Sequence, residues 1–192
     1  MKYISIDIET TGLDPEKHQI LEFAAVYEDL EQPKRLEHLP KFHRLIYWKD
    51  YVISEYCLKL HRELLKEIRD KNNPDIITIE QLASQFRSWL TLMYAKFNFS
   101  NHNYNVAGKN FAGFDGLFLK KIPNFPKWHH RVIDVGSMYM QVDMNRLSSL
   151  EKITGVTGHR ALDDAMAVVA AIRNKIARRC PYCWRENENT AY

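Results

Sequence analysis

The chain has 192 residues, of which 45% are hydrophobic and 27% are charged, and its formal net charge is +3 at pH 7. This composition excludes a disordered or fibrous protein, and the length fits one globular domain with a single large core. No apolar run approaches the length of a membrane span and the N-terminus has no signal-peptide pattern, so we expect a cytoplasmic protein that does not enter a membrane.

The first part of the chain is typical of short strands joined by polar turns. The predicted strands are residues 3–7, 20–27 and 41–47, which are rich in β-branched and aromatic side chains. A turn over residues 12–15 separates the first two strands. Their order favours an antiparallel arrangement, although the connection to the third strand is too long for a tight hairpin.

The pattern then becomes helical. A first helix is predicted to begin after Ser54, a good N-cap residue, and to end at residues 72–74, Asn-Asn-Pro. A second helix is predicted to begin after Thr78, because Gln81 three residues later completes a capping box.

The remaining elements alternate between strand and helix. They are strands at 106–110 and 131–135, and helices at 114–121, 147–153 and 162–179. This order indicates an α/β domain built around one mixed sheet. We therefore predict a single domain over residues 1–179, followed by an appended C-terminal tail over residues 180–192.

Acidic residues stand at the end of a predicted strand and near the starts of two predicted helices. Asp7 and Glu9 are two residues apart in the first strand, so the strand period places both side chains on one face. Burying two carboxylates together is costly unless they hold a cation, and the alternative is a strand end whose acids face water. Asp115 and Asp164 begin helices, where the helix dipole alone also favours an acid.

A histidine precedes the last predicted helix. His159 follows Gly158 on a loop, which suits a base that must approach a bound water, although a lone histidine is also common at a surface or in a core. A histidine can be neutral in the cytosol and accept a proton. Because oxygen ligands of this kind favour Mg²⁺ or Mn²⁺ over zinc, the sequence indicates a two-metal phosphodiesterase.

Three motifs occur in order: Asp7-Ile8-Glu9-Thr10-Thr11-Gly12-Leu13, Asn110 to Asp115, and His159 to Asp164. Together they resemble the DEDDh branch of the 3′→5′ exonuclease superfamily, which includes proofreading exonucleases, RNase T and oligoribonuclease. The likeness covers roughly residues 1–175. Arg160 stands where the tyrosine branch would have a tyrosine, so the histidine branch fits better.

The resemblance implies an RNase H-like fold with a mixed five-stranded sheet flanked by helices. It further implies two Mg²⁺ (or Mn²⁺) ions held by Asp7, Glu9, Asp115 and Asp164, with His159 as the general base.

The resemblance also implies how a substrate would bind. Thr10, Gly12 and Leu13 match positions that contact the terminal nucleotide, with Leu13 wedged against its base, although the same residues also suit a plain turn. His61 matches a segment in which many members place a histidine near the last base; otherwise it is an exposed helix residue. Asn110 is a further substrate candidate, or it braces its loop by hydrogen bonding, or it is only a turn residue.

The implied activity is hydrolysis of single-stranded DNA or RNA from the 3′ end to nucleoside 5′-monophosphates. One alternative is an enzyme restricted to very short oligonucleotides, as in oligoribonuclease, and this leaves a homodimer open. A non-catalytic nucleic-acid-binding module of the same fold would have lost one or more of the four carboxylates, and none is missing. No feature of the sequence indicates a polymerase partner or decides between DNA and RNA.

Overall fold

The computed structural model describes residues 1–70, 72–100, 102–140, 149–156 and 159–179. The tail over residues 180–192 lies outside the described residues, so the domain boundary after residue 179 stays a prediction. No helix within the described ranges has the length and apolar character needed to cross a membrane.

A mixed sheet forms the centre of the fold. Its strands are β1 (Lys2–Thr10), β2 (Ile20–Asp29), β3 (Lys41–Tyr47), β4 (Ile76–Thr78), β5 (Tyr104–Gly108) and β6 (Trp128–Asp134). They lie side by side in the order β4-β3-β2-β1-β5-β6. β1, β2 and β3 form the expected antiparallel meander, whereas β5 runs parallel to β1, β6 to β5, and β4 to β3.

The prediction of five strands is wrong, because the sheet has six. The strand that the sequence does not reveal is β4, which is three residues long and pairs with the end of β3. Three residues are too few to display an alternating pattern. In addition, its last residue, Thr78, is the N-cap of the following helix, so the helix signal hides the strand signal.

The helices of the described residues flank this sheet. They are α1 (Glu55–Leu60), α2 (Arg62–Ile68), α3 (Ile79–Phe97), α4 (Asp115–Leu119), α5 (Val135–Met138), α6 (Leu150–Thr154) and α7 (Ala161–Arg179). The capping box at Thr78 and Gln81 is confirmed. The single helix predicted from Ser54 is wrong, since it divides at His61, where the backbone leaves the helical conformation (φ −99°, ψ 23°).

The two faces of the sheet carry different cores. On one face α3 packs an aromatic cluster, in which Phe86 lies 5.0 Å from Phe23 between ring centroids. On the other face the alanine-rich side of α7 lies against β1 and β2. Small side chains allow this close approach, and the Ser5 hydroxyl donates a hydrogen bond to the carbonyl of Ala165 (2.8 Å). The beginning of α7 is thereby fixed beside the middle of β1.

Candidate active site

Three carboxylates converge where β1 ends and α7 begins. Asp7 and Glu9 project from β1 and Asp164 from the first turn of α7, and one carboxylate oxygen from each lies within 4.8 Å of the others. Asp115, at the start of α4, is buried beside them, and its Oδ1 accepts a hydrogen bond from the Ile8 N–H (3.0 Å). The fold therefore brings the four predicted metal carboxylates to one place.

Ionising these carboxyl groups in one buried place is unfavourable, and their pKa values are raised accordingly. Burial, followed by repulsion from the neighbouring carboxylates, raises the pKa of Asp7 well above its ordinary range. The same two causes raise the pKa of Glu9 to about 8. Burial raises the pKa of Asp115 to about 7, against the lowering effect of backbone hydrogen bonds, and it raises the pKa of Asp164 to about 6. Clustered oxygen donors that resist ionisation on their own fit a divalent cation.

Two histidines lie next to these acids. His159 precedes α7 in a left-handed backbone conformation (φ 43°), which is uncommon for a residue with a side chain. Burial raises the pKa of Asp164, and the electrostatic influence of His159 partly opposes this effect. His61 is buried, with Nε2 3.4 Å from Glu9 Oε2, and burial followed by His159 lowers its pKa. The alternative of an exposed helix residue at His61 is wrong.

A second buried carboxylate, Glu22 on β2, holds the loop that carries His159. Its oxygens accept hydrogen bonds from Arg160 Nε (3.1 Å to each) and from the Ala161 N–H (3.1 Å). His43 Nε2 lies 2.6 Å from the same carboxylate. Although burial raises the pKa of Glu22, the hydrogen bonds from His43 and Arg160 lower it below its ordinary value, so this acid is ionised.

The Arg160 guanidinium extends this network to α2, because its Nη2 also lies 3.1 Å from Glu67 Oε2. Sequence reasoning missed the role of Glu22 and used Arg160 only to choose between branches of a family. One signal was available, since a glutamate within the apolar run Ile20–Tyr27 has to find a cationic partner when the strand is buried.

The turn after β1 presents one apolar side chain to solvent. The Thr10 hydroxyl donates to the carbonyl of Gly12 (2.8 Å), and Leu13 is 79% exposed. A side chain at Gly12 would place its Cβ 2.4 Å from the ring of His18, so the turn closes tightly at that point. The Ser54 N–H donates to the carbonyl of Thr11 (2.9 Å) and anchors the turn to the start of α1.

Asn110 lies on the loop between β5 and α4, in a left-handed conformation (φ 59°). Its backbone N–H donates to Asp134 Oδ2 (2.6 Å), and its carbonyl accepts from the N–H groups of Gly113 and Phe114 (3.0 Å each). These bonds brace the loop that leads to Asp115. A contact between Asn110 and substrate stays a prediction.

Known proteins resemble this chain over most of its length. The RNase T family model, described as exonuclease, matches residues 4–172. The oligoribonuclease of Vibrio cholerae is 26% identical over 180 residues, which is 88% of this chain and 91% of the relative. The oligoribonuclease of Francisella tularensis is 28% identical over 181 residues, with the same two coverages.

Solved structures share the fold at lower identity. Cell-death related nuclease 4 superposes with a TM-score of 0.65 and 13% identity over 92% of this chain. Exonuclease I of Escherichia coli, solved in complex with a dA16 oligonucleotide, has a TM-score of 0.62 and 17% identity over 94% of this chain. The chain spans 64% of the first protein and 41% of the second. The α/β fold, with a mixed sheet flanked by helices, is therefore that of these two nucleases.

Proposed function

This chain belongs to the exonuclease family and is a 3′→5′ exonuclease, and on that premise we propose that it releases nucleoside 5′-monophosphates from single-stranded 3′ ends by a two-metal mechanism. The proposal depends above all on the convergence of Asp7, Glu9 and Asp164, with Asp115 directly beside them.

The donor set fits divalent ions. Asp7, Glu9, Asp115 and Asp164 would hold two Mg²⁺ or Mn²⁺ ions, because these are hard oxygen ligands whose raised pKa values reflect burial and unrelieved mutual repulsion. When bound, such ions lower the pKa of the attacking water and neutralise charge on the leaving oxygen.

His159 is proposed to take the proton from the attacking water. It stands two residues before the helix that carries Asp164, and the adjacent Arg160 and Ala161 are held by hydrogen bonds to Glu22. Among the described residues the Arg160 guanidinium forms ion pairs with Glu22 and Glu67, and with none of the carboxylates that would receive the metals. A positioned base of this kind contributes about 10²–10⁴-fold to the rate.

The turn after β1 is proposed to receive the terminal nucleotide. The exposed Leu13 side chain stands on a closed, anchored turn, so it can press against the last base without moving away. A base that is held apart in this manner has to be unpaired, which supports a single-stranded substrate. We further propose that His61, buried against Glu9, lines the inner wall of the same pocket.

A restriction to very short oligonucleotides is the second candidate. It is supported by the oligoribonucleases of Vibrio cholerae and Francisella tularensis, which match this chain over 91% of their own length.

The test is a time course on 3′-labelled and 5′-labelled single strands of DNA and RNA, including dinucleotides, with Mg²⁺, Mn²⁺ or EDTA. We expect metal-dependent loss of the 3′ label first, with nucleoside 5′-monophosphates as products. An Asp7→Ala preparation serves as the control for contaminating nucleases. Early release of the 5′ label, or equal rates in EDTA, would contradict the proposal. If dinucleotides are hydrolysed and longer strands are not, the restriction to very short oligonucleotides is supported instead.

A further inference from the structure

A groove with cationic walls lies on the α3 face of the sheet, whereas the acidic cluster lies on the face that α7 covers. Two adjoining cavities of about 490 and 400 Å³ share Asn103, Asn124, Phe125, Pro126 and Lys127 in their walls. We call their union the basic groove; its charged and aromatic walls comprise Arg87, His102, Lys120, Phe125, Lys127 and Trp128. None of the described residues that line it is acidic.

The cations of the groove differ from other lysines of the chain. Lys17, Lys59 and Lys66 each lie within 3.3 Å of a carboxylate on their own turn or helix. In the described part of the chain, by contrast, no carboxylate pairs with Arg87, Lys120 or Lys127. The three charges are therefore available to a ligand, and they would attract one that is negative at several points.

Aromatic rings and polar groups accompany these charges. Phe125 and Trp128 are both half-buried in the groove wall, with ring centroids 6.3 Å apart, and the Lys120 ammonium lies 6.0 Å from the Trp128 centroid. Arg87 donates a hydrogen bond to the carbonyl of Asn124, which fixes α3 to the loop before β6. Cationic side chains beside partly exposed rings are the combination that binds single-stranded nucleic acid, because phosphates meet the charges while bases stack.

The distance between the basic groove and the acidic cluster sets the length of a single strand that can reach both. Asp115 begins α4 and Lys120 directly follows that helix, so their Cα atoms are about 8 Å apart along the helix axis at about 1.5 Å per residue. Ile4 pairs with Val106, so Tyr104, which follows the groove residue Asn103, is level with Lys2. From Lys2 to Asp7 or Glu9 is five to seven residues, roughly 20 Å at about 3.3 Å per residue, and a strand that passes round the sheet from one face to the other covers at least this distance.

Resting on the proposed function, we propose that the basic groove binds the upstream part of the same single strand whose 3′ end enters the acidic site. At about 3.4 Å per stacked nucleotide, a path of at least roughly 20 Å requires about six nucleotides or more. A dinucleotide held at the acidic cluster is too short to fill the groove. The groove thus favours longer strands over dinucleotides, and it gives the polar segment before β5, which contributes His102 and Asn103, a place in substrate binding.

The test compares two triple variants with the same loss of charge. One is Arg87→Gln/Lys120→Gln/Lys127→Gln, and the matched control is Lys17→Gln/Lys59→Gln/Lys66→Gln. For a strand of about twelve nucleotides we expect KM to rise about tenfold in the groove variant, with its salt dependence reduced by roughly 0.7 for each lost phosphate contact. Dinucleotide kcat/KM should be unchanged in both variants, and the control should behave as the parent on both substrates.

Binding is also measured without catalysis, by fluorescence anisotropy of the same labelled strand in EDTA. This keeps the groove testable even if no nuclease activity is found, so failure of the proposed function and failure of the groove give different results. Equal affinities in the groove variant and the control would overturn the inference, as would an equal loss on dinucleotides and long strands. If the groove variant has a lower molecular mass in solution than the parent, the inference is also overturned, because the groove is then a contact between copies of this chain. Lys127→Gln alone, at an exposed position, repeats the comparison if the triple variant folds poorly.

Discussion

The acidic cluster should make the metal-free protein less stable as the pH rises. In the folded chain the pKa of Glu9 is raised from 4.5 to about 8, while the unfolded chain keeps the ordinary value. Between these two values the folded state holds a proton that the unfolded state has lost. The free energy of unfolding is therefore highest below about pH 4.5 with respect to this group and falls as the pH approaches about 8.

The size of the effect follows from the pKa difference. A shift of about 3.5 units, at about 1.36 kcal/mol per unit, corresponds to about 5 kcal/mol. Glu9 is 12% exposed, so solvent removes little of this cost. The raised pKa values of the neighbouring acids share the same repulsion and are not added to it. At about 2–4 °C per kcal/mol for a chain of this size, Tm should fall by roughly 10–20 °C.

Thermal unfolding in EDTA, followed from about pH 5 to about pH 8.5, measures this directly. Saturating Mg²⁺ should restore stability, and more so at the higher pH, because the ion competes with protons for the same oxygens. Glu9→Gln is the control: it should flatten the pH profile in EDTA and lose most of the stabilisation by Mg²⁺. If the parent and Glu9→Gln give the same profile in EDTA, the reasoning about repulsion in the cluster is refuted.

Three substitutions test separate parts of the site. Asp7→Ala should abolish Mg²⁺-dependent degradation and raise Tm in EDTA, because a buried carboxylate that neighbouring acids repel is removed; retained activity in a gel assay would argue against Asp7 as a ligand. His159→Ala should lower kcat by about 10²–10⁴-fold with little change in substrate affinity, and parent-like single-turnover rates would remove His159 as the base. Glu22→Gln should lower the free energy of unfolding by about 1–3 kcal/mol, since Arg160 and Ala161 lose an ionised acceptor while Arg160 keeps its pair with Glu67. It should also lower kcat more than it raises KM, and Glu22→Asp should recover part of kcat; equal effects of both variants on stability alone would make Glu22 merely structural.

Much of the fold could be predicted because its long elements carry strong local signals. The apolar, β-branched runs of β1 and β2 and the capping box before α3 are visible in single stretches of sequence. The elements that were missed are short, such as β4 with three residues and α5 with four. Such elements depend on neighbours that are distant in the sequence, so no local pattern announces them.

The candidate site also contains some features that local sequence patterns reveal and others that they do not. Asp7 and Glu9 could be placed together because the strand period fixes their common face, and the ordered motifs placed Asp115 and Asp164 with them. The division of the helix at His61 could not be predicted. That break turns an imidazole into the interior beside Glu9, and it depends on packing between α1, α2 and the sheet rather than on local helix preference.

Two glutamates show why burial alone does not identify a ligand. Glu9 and Glu22 stand directly opposite each other on β1 and β2, and both are largely removed from solvent. Glu22 has His43 and Arg160 within 3.1 Å, so its pKa is lowered and its charge is already balanced. Glu9 faces acids and a histidine whose own pKa is lowered, and the charge of Arg160 offsets only part of the burial and repulsion that raise the pKa of Glu9. Glu22 pairs with Arg160, the residue that precedes α7, and Glu9 remains available as a proposed metal ligand. On this proposal, the structural role and the ligand role fall to two residues that face each other on β1 and β2.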